Sequence, residues 1–299
     1  MKIYFKKVIY LIVISPYVIS HAISSFLALF HKSFRRAELD LQNNYLNNLK
    51  TKVVHYTKNK NKVELQIYTP NALCAFRAET FSTKEPETLE WIEEFGANGA
   101  VLFDIGANIG LYSIYHSVLN KGKVIAFEPS FFNLKLLAKN ININSTQDFI
   151  TVITTPLTSH NSTNNFKYED DTEGGALSAF GVDFRYDGKD FNSNLSVKVI
   201  GSSLDSLIEN KTIEDLPNLV KIDVDGIEHL ILSGAVNTLK NKNCMSVLVE
   251  VNEDFLEQSI EVKRILEDCG FVLRDKLHGN MFDNSENFSK TYNQIWVRS

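Results

Sequence analysis

Ten residues, Val101-Leu102-Phe103-Asp104-Ile105-Gly106-Ala107-Asn108-Ile109-Gly110, restrict this chain more than any other stretch. A short apolar run closed by an acid predicts a buried strand; the glycines predict an abrupt turn, and a helix is expected from about Ile109. Such a bend lets backbone N–H groups and a helix N-terminus face a nucleotide-like ligand. A second strand, Lys123-Val124-Ile125-Ala126-Phe127, follows and ends in Glu128. A carboxylate at that strand tip is where open α/β sheets grip ribose hydroxyls.

The glycine spacing separates two ligand classes. A dinucleotide fingerprint needs Gly at its first, third and sixth positions. Counted from Gly106 these hold Gly106, Asn108 and Leu111, so the pyrophosphate cradle is broken twice. Asp104, two residues before the first glycine, suits a ligand with a cationic centre and no phosphate. S-adenosylmethionine, with its sulfonium and amino group, is such a ligand. The candidate cofactor-binding residues are therefore Asp104, Gly106, Asn108, Gly110 and Glu128.

Periodicity extends the pattern to the C-terminus. A helix is predicted over 130–143, strands over 149–155 and 219–224, a helix over 226–239, a strand over 245–251 and a helix over 254–268. Two strands, from Phe271 and over 293–298, close the chain. Strands alternating with helices predict an α/β, Rossmann-like, mostly parallel seven-stranded sheet covered on both faces. The last two strands, joined by a loop alone, predict one antiparallel member. Upstream, Lys62 to Tyr68 alternates as an edge-type strand. Thr83 is the expected N-cap of a helix bearing Leu89, Ile92 and Phe95 on one face, placed over the pocket mouth. Residues 156–196 are polar and glycine-dotted, notably Glu173-Gly174-Gly175-Ala176-Leu177-Ser178. They read either as a hairpin and loop shaping the acceptor site or as a variable surface loop.

Charge is unevenly spread. Residues 1–60 carry ten Lys/Arg and two acids (+8), against twenty-one and thirty-four in the remainder (−13), giving the net −5. The acidic remainder is a poor nucleic-acid binder. Val8 to Phe30 holds no formal charge and is flanked by Lys6, Lys7, Lys32, Arg35 and Arg36. It reads as a membrane-spanning or signal-anchor helix, a helix lying in the interface or docked on the enzyme, or a cleaved signal. Export would strand a chain that uses S-adenosylmethionine from that ligand, so membrane association through residues 8–30, with the catalytic part in the cytoplasm, is the expectation. The expected divisions are 1–36 for this hydrophobic segment, 37–75 for a linker and first strands, and 76–299 for the catalytic domain. Three scattered cysteines, Cys74, Cys244 and Cys269, without a C-x-x-C pair, point to a reducing compartment and away from a thiolate zinc site.

Several blocks together resemble the FkbM family of S-adenosylmethionine-dependent methyltransferases: Asp104 to Gly110, Ala126-Phe127-Glu128-Pro129, Ser203-Leu204-Asp205-Ser206-Leu207, Lys221 to Glu228, and Leu232-Ser233-Gly234-Ala235. They occur in family order over roughly residues 76–298. The resemblance implies a class I methyltransferase fold and O-methyl transfer to hydroxyls of sugars, polyketides and related natural products. It also implies that Gly106, Asn108 and Glu128 contact the cosubstrate. Asp225 stands where the family often has Glu, one methylene shorter.

Methylating an alcohol calls for a positioned base. Asp223, Asp225, Glu228 and His229 cluster at the end of one strand. Asp223 is the first candidate, His229 the second, and Asp225 is catalytic unless it caps the next helix with Glu228 as capping-box partner. Asp223, Glu250 and Asn252 together would suit Mg²⁺, though no spacing demands a metal. Arg77 and Lys84 would bind an acidic acceptor or pair with neighbouring acids. Two other classes stay open: a nicotinamide-dependent oxidoreductase and a non-catalytic membrane-anchored binding domain.

Overall fold

The structure is a computed structural model and describes residues 2–191, 193, 195–283 and 288–299. Its first half runs α1 (Lys2–Leu27), α2 (Ser33–Asn48), β1 (Lys50–Tyr56), β2 (Lys62–Tyr68), α3 (Ala72–Glu79), α4 (Pro86–Phe95), β3 (Leu102–Ile105), α5 (Leu111–Asn120), β4 (Val124–Phe127), α6 (Phe131–Ile143) and β5 (Ile150–Ile153). The second half runs β6 (Ser162–Tyr168), β7 (Ser178–Phe180), β8 (Leu195–Gly201), α7 (Leu204–Glu209), β9 (Leu219–Ile222), α8 (Glu228–Ser233), α9 (Val236–Lys240), β10 (Ser246–Asn252), α10 (Leu256–Asp268), β11 (Phe271–Leu277) and β12 (Thr291–Arg298).

Every residue of β3, β4 and β9 is buried, as strands covered by helices on both faces require. These three sit at the centre of a seven-stranded sheet ordered β11-β12-β10-β9-β3-β4-β5. β12 alone runs against its neighbours, between β10 and β11. The chain builds outward from β3 through β4 to β5, then returns to β9 and β10 on the other side. The strand order therefore reverses between β3 and β9, where open α/β sheets leave a crevice at the strands' carboxyl ends. This is the Rossmann-like class I methyltransferase sheet, with its one antiparallel strand.

Register decides which polar residues share a face. Asp104 lies opposite Lys221, and Lys221 opposite Leu248. Side chains alternate along strands, so Asp104, Lys221, Asp223 and Glu250 fall on the side covered by α4 and α5.

Several elements depart from the sequence-based expectation. Residues 156–196 contain the hairpin of the first reading, β6 paired with β7, but β8 joins it in a separate antiparallel sheet, order β7-β6-β8. The helix expected over 226–239 breaks into α8 and α9 at Gly234 and Ala235, where the backbone at Thr158 passes close. Thr83 does not cap α4: that helix starts at Pro86 after Glu85, and proline's fixed φ suits the first helical position. α4 packs on α5, β10 and β12, so it is α3 and residues 81–85 that overlie the crevice.

The N-terminal segment is helical in α1, which folds against α2. Among the described residues, however, no helix is long and apolar enough to cross a membrane. The spanning reading of residues 8–30 is corrected accordingly. Lys6 and Lys7 fall inside α1, Pro16 interrupts it, and the helix stops at Leu27. Its Ser24 hydroxyl donates to Glu38 of α2, a carboxylate buried in the hairpin.

Candidate active site

A cavity of about 430 Å³ opens where the strand order reverses, within the usual ~300–1,000 Å³ for small-molecule sites. One half is walled by Gly106, Asn108, Glu128, Pro129, Ser130 and Asn133; the other by Phe76, Arg77, Lys84, Tyr112, Asp223 and Glu250.

The bend after β3 works differently from a phosphate-binding loop. The amides of Gly106 and Ala107 both donate to Phe127 O at 3.0 Å. Asn108 N donates to Glu128 Oε2 at 2.6 Å, Ile109 N to Asn108 Oδ1 at 2.9 Å, and Gly110 N to Ala107 O at 2.8 Å. All five amides are engaged within the protein, so the expectation that they face a ligand is corrected. No N–H nest is left for a pyrophosphate. Gly106 has φ +86°, and a Cβ there would stand 1.9 Å from Asp223 O, so only glycine lets β3 pass this close to β9.

The candidate cofactor residues divide by position. Gly106, Asn108 and Glu128 line the cavity; Asp104 and Gly110 do not. Asp104 is fully buried beneath the bend, where its Oδ2 accepts the Ser113 hydroxyl at 2.5 Å and ties β3 to the start of α5. Burial pushes its carboxyl up, against the pull of Lys221. A Cβ on Gly110 would lie 2.5 Å from Leu137 Cδ1, so that glycine serves the packing of α5 on α6. Glu128 is held by Asn108 N and by Ser130 N at 2.8 Å, yet burial still pushes its carboxyl up to about 7.

The candidate catalytic residues divide as well. Asp223 and Asp225 line the cavity; His229 does not. His229 stacks on Phe184 and meets Phe255 edge-on, with burial pushing its pKa down. Asp225 is not the helix cap: at φ +64° it turns away, and its Oδ2 accepts Leu177 N at 2.6 Å. Burial, then Asp223, pushes it up to about 6. Glu228 alone ties the turn, accepting the amides of Val224 and Gly226.

Asp223 sits in a polar box that sequence reasoning only partly foresaw. Lys221 Nζ, with its side chain 1% exposed, donates to Asp223 Oδ2 at 2.9 Å and lies 5.1 Å from the Tyr112 ring centre. Tyr112 OH donates to Glu85 Oε2 at 2.8 Å, and Lys84 pairs with Glu85. Burial would raise Asp223, but Lys221 and Lys84 outweigh it and hold the carboxyl below the usual range. Glu250 faces the same box, where burial, Asp223 and Glu85 outweigh the pull of Lys84 and push it well above the usual range. Lys221, Glu85, Tyr112 and Asn133 are the lining residues that the sequence did not single out. The i, i+2 spacing of Lys221 and Asp223 on a buried strand is the signal that could have found the first. Among the described residues no group of three His, Cys, Asp or Glu is placed to hold a metal; Asp223 and Glu250 line the cavity, whereas the Asn252 side chain is engaged with Tyr186 O and Asp254 N.

Segment 172–178 lies across the cavity as a strap. Gly175 O accepts the side-chain amides of Asn108 (2.7 Å) and Asn133 (3.2 Å), and Gly174 N donates to Asn133 Oδ1 at 2.9 Å. From the other side Asn71 and Cys74 reach Glu173 O, and Arg77 Nε reaches Gly174 O at 2.7 Å. All three cysteines are buried free thiols.

The hexuronic acid methyltransferase AglP of Haloferax volcanii is 27% identical over 170 residues, 57% of this chain and 64% of that protein, so this chain spans less than two thirds of that relative. A solved structure titled methyltransferase FkbM, from Methylobacillus flagellatus KT, superposes with TM-score 0.45 at 15% identity, over 67% of this chain and 44% of that one. An rRNA methylase from Streptococcus thermophilus gives TM-score 0.44 at 10% identity, over 71% and 94%. The methyltransferase FkbM domain profile matches residues 104–273, more than half of the 299, from the acid of the bend to the middle of β11. The chain belongs to the FkbM family of methyltransferases, whose methyl donor is S-adenosylmethionine.

Proposed function

We propose that this methyltransferase carries a methyl group to a hydroxyl of a glycan, glycolipid or similar natural product. One observation above the others supports this: the ribose-type acid Glu128 and the ionised Asp223 share one cavity, on opposite sides of the sheet's reversal. The printed name of the Haloferax relative, a hexuronic acid methyltransferase, supports a sugar acceptor.

Bound S-adenosylmethionine supplies an electrophilic methyl for in-line displacement. The chain's own residues supply position and proton handling. Glu128, with free lone pairs beside its two amide contacts, accepts the ribose hydroxyls. Asp104 acts one layer below, fixing the bend. Asp223 accepts the proton of the acceptor hydroxyl, a service worth about 10²–10⁴-fold in rate. Lys221 and Lys84 keep that carboxylate ionised at neutral pH. Alignment of the two reactants in the cavity supplies several further kcal/mol. The nicotinamide reading loses support because the amides of residues 106–110 are all engaged.

Calorimetry with S-adenosylmethionine and NAD(H), followed by transfer of a radiolabelled methyl group into cell fractions, tests the proposal. The expected result is binding of the first ligand only, with label in a glycan or lipid fraction that Asp223→Asn reduces at least 100-fold. Binding of NAD(H), or labelling unaffected by Asp223→Asn, would overturn it.

For the N-terminus we infer an interfacial rather than spanning role, with the catalytic fold on the cytoplasmic side. Val18, Ile19, Ile23, Phe26, Leu29, Phe30 and Phe34 are exposed on the α1–α2 hairpin beside exposed Lys32, Arg35 and Arg36. Apolar side chains bordered by cations suit an anionic lipid surface.

A further inference from the structure

We propose that Arg77 reads a carboxylate on the acceptor, so that the substrate is an acidic sugar held between the Arg77 guanidinium and the aromatic face of Phe76. This deepens the glycan reading above and rests on it. Arg77 projects from α3 into the acceptor half of the cavity. Its Nε is fixed by Gly174 O at 2.7 Å, and among the described residues that is its one hydrogen bond. The two Nη groups, the arms that match a carboxylate in bidentate fashion, are left for a ligand.

The anchor itself is rigid. Gly174 has φ +82°, and a Cβ there would stand 2.8 Å from Cys74 Sγ, so the strap is seated directly on α3. Arg77 is thus held by one nitrogen while its fork stays presented, which reduces the ordering cost of binding. At Asp225, raised by burial and Asp223, and at Asp223, held down by Lys221 and Lys84, its charge adds a minor lowering pull, which places it within electrostatic reach of the reacting end. Phe76, one residue away and 44% exposed, also lines the cavity. An exposed aromatic at a pocket mouth offers a flat apolar surface to the C–H face of a sugar ring. A fork for a carboxylate beside a plate for a ring describes a uronic-acid-type acceptor better than a neutral one. The competing occupant of the fork is the carboxylate of the cosubstrate's own methionine portion.

The experiment uses the full chain saturated with S-adenosylhomocysteine and measures binding of D-glucuronate and D-glucose by calorimetry, for the parent, Arg77→Gln and Arg77→Lys. The parent is expected to bind glucuronate at least tenfold more tightly than glucose. Arg77→Gln should lose that preference, and Arg77→Lys, which keeps charge but not the fork, should retain only part of it. Affinity for S-adenosylhomocysteine should fall no more than several-fold in both variants, the part expected from losing the strap contact to Gly174 O, and a melting temperature within a few degrees of the parent certifies that they are folded. A parent without preference, a preference surviving in Arg77→Gln, or a tenfold loss of S-adenosylhomocysteine affinity in that variant would each overturn the assignment. A parent that binds no S-adenosylhomocysteine would instead refute the underlying methyltransferase site.

Discussion

Glu128 and Asp223 are carboxylates at strand tips, the first buried and the second partly exposed to the cavity, and their surroundings drive them apart. Glu128 faces amide donors without a cation, so desolvation wins and its carboxyl is pushed up to about 7. Asp223 faces Lys221 and Lys84, and desolvation loses. Environments that separate two acids in this way assign them different tasks: one binds ligand, the other stays ionised to take a proton. A pH dependence follows for the ligand-free enzyme. Below pH 7 Glu128 carries a proton, which must leave before the group accepts hydroxyl donors as a carboxylate. Affinity for S-adenosylmethionine should therefore rise with pH, by up to about tenfold per unit below 7, and level off above it. Calorimetry from pH 5.5 to 8.5 measures this. Glu128→Gln should bind at least tenfold more weakly with a flat profile, and a flat profile in the parent would refute the coupling.

At the scale of elements, the strap over 172–178 depends on Asp225, whose Oδ2 receives the amides of Leu177 and Ser178. Leu177 itself sits at φ +61°, a conformation a branched side chain holds only when its surroundings enforce it. Asp225→Ala should release the strap: hydrogen exchange at Leu177 and Ser178 should quicken at least tenfold, and cosubstrate affinity should fall several-fold, because Gly175 closes on Asn108 and Asn133. Unchanged exchange would show that the strap is held elsewhere. This element also marks the limit of what the sequence discloses. The central sheet was legible because β3, β4 and β9 are short, largely apolar runs with an acid near or just past their ends: Asp104 within β3, Glu128 after β4 and Asp223 after β9. The strap and the β7-β6-β8 sheet were not, because β8 exposes most of its residues and lacks a clean two-residue alternation. Gly106, Asn108 and Glu128 could be read from the bend because glycine spacing and strand ends carry local meaning. Tyr112 and Glu85 could not, since their meeting with Lys221 depends on how α5 and the residues before α4 pack over β9. Asp225 and His229 part company for a related reason: they are near neighbours at one strand end, but the turn after β9 leaves Asp225 lining the cavity and carries His229 outside it, against Phe184.

At the scale of the whole molecule, charge and packing divide the chain in the same place. Residues 1–60 carry a net charge of +8 and the remainder −13. α1 packs on α2, while the central sheet is built without either helix. Ser24 and Glu38 close this hairpin from within, and the main link onward runs through the β1–β2 ribbon, where His55 and Tyr115 share Glu93. Deletion of residues 1–27 should therefore leave the catalytic fold intact. The melting temperature should move by no more than a few degrees, and affinity for S-adenosylmethionine should stay within twofold of the parent. Binding to vesicles is where the two proteins should differ. The full chain should sediment with vesicles containing phosphatidylserine, and less so as salt is raised, because cation–headgroup attraction is screened within about 10 Å at 0.1 M ionic strength. The truncated chain should remain in the supernatant. Equal sedimentation of both would place the lipid-binding surface outside α1. A truncated chain that no longer binds S-adenosylmethionine would show that the hairpin supports the catalytic fold itself.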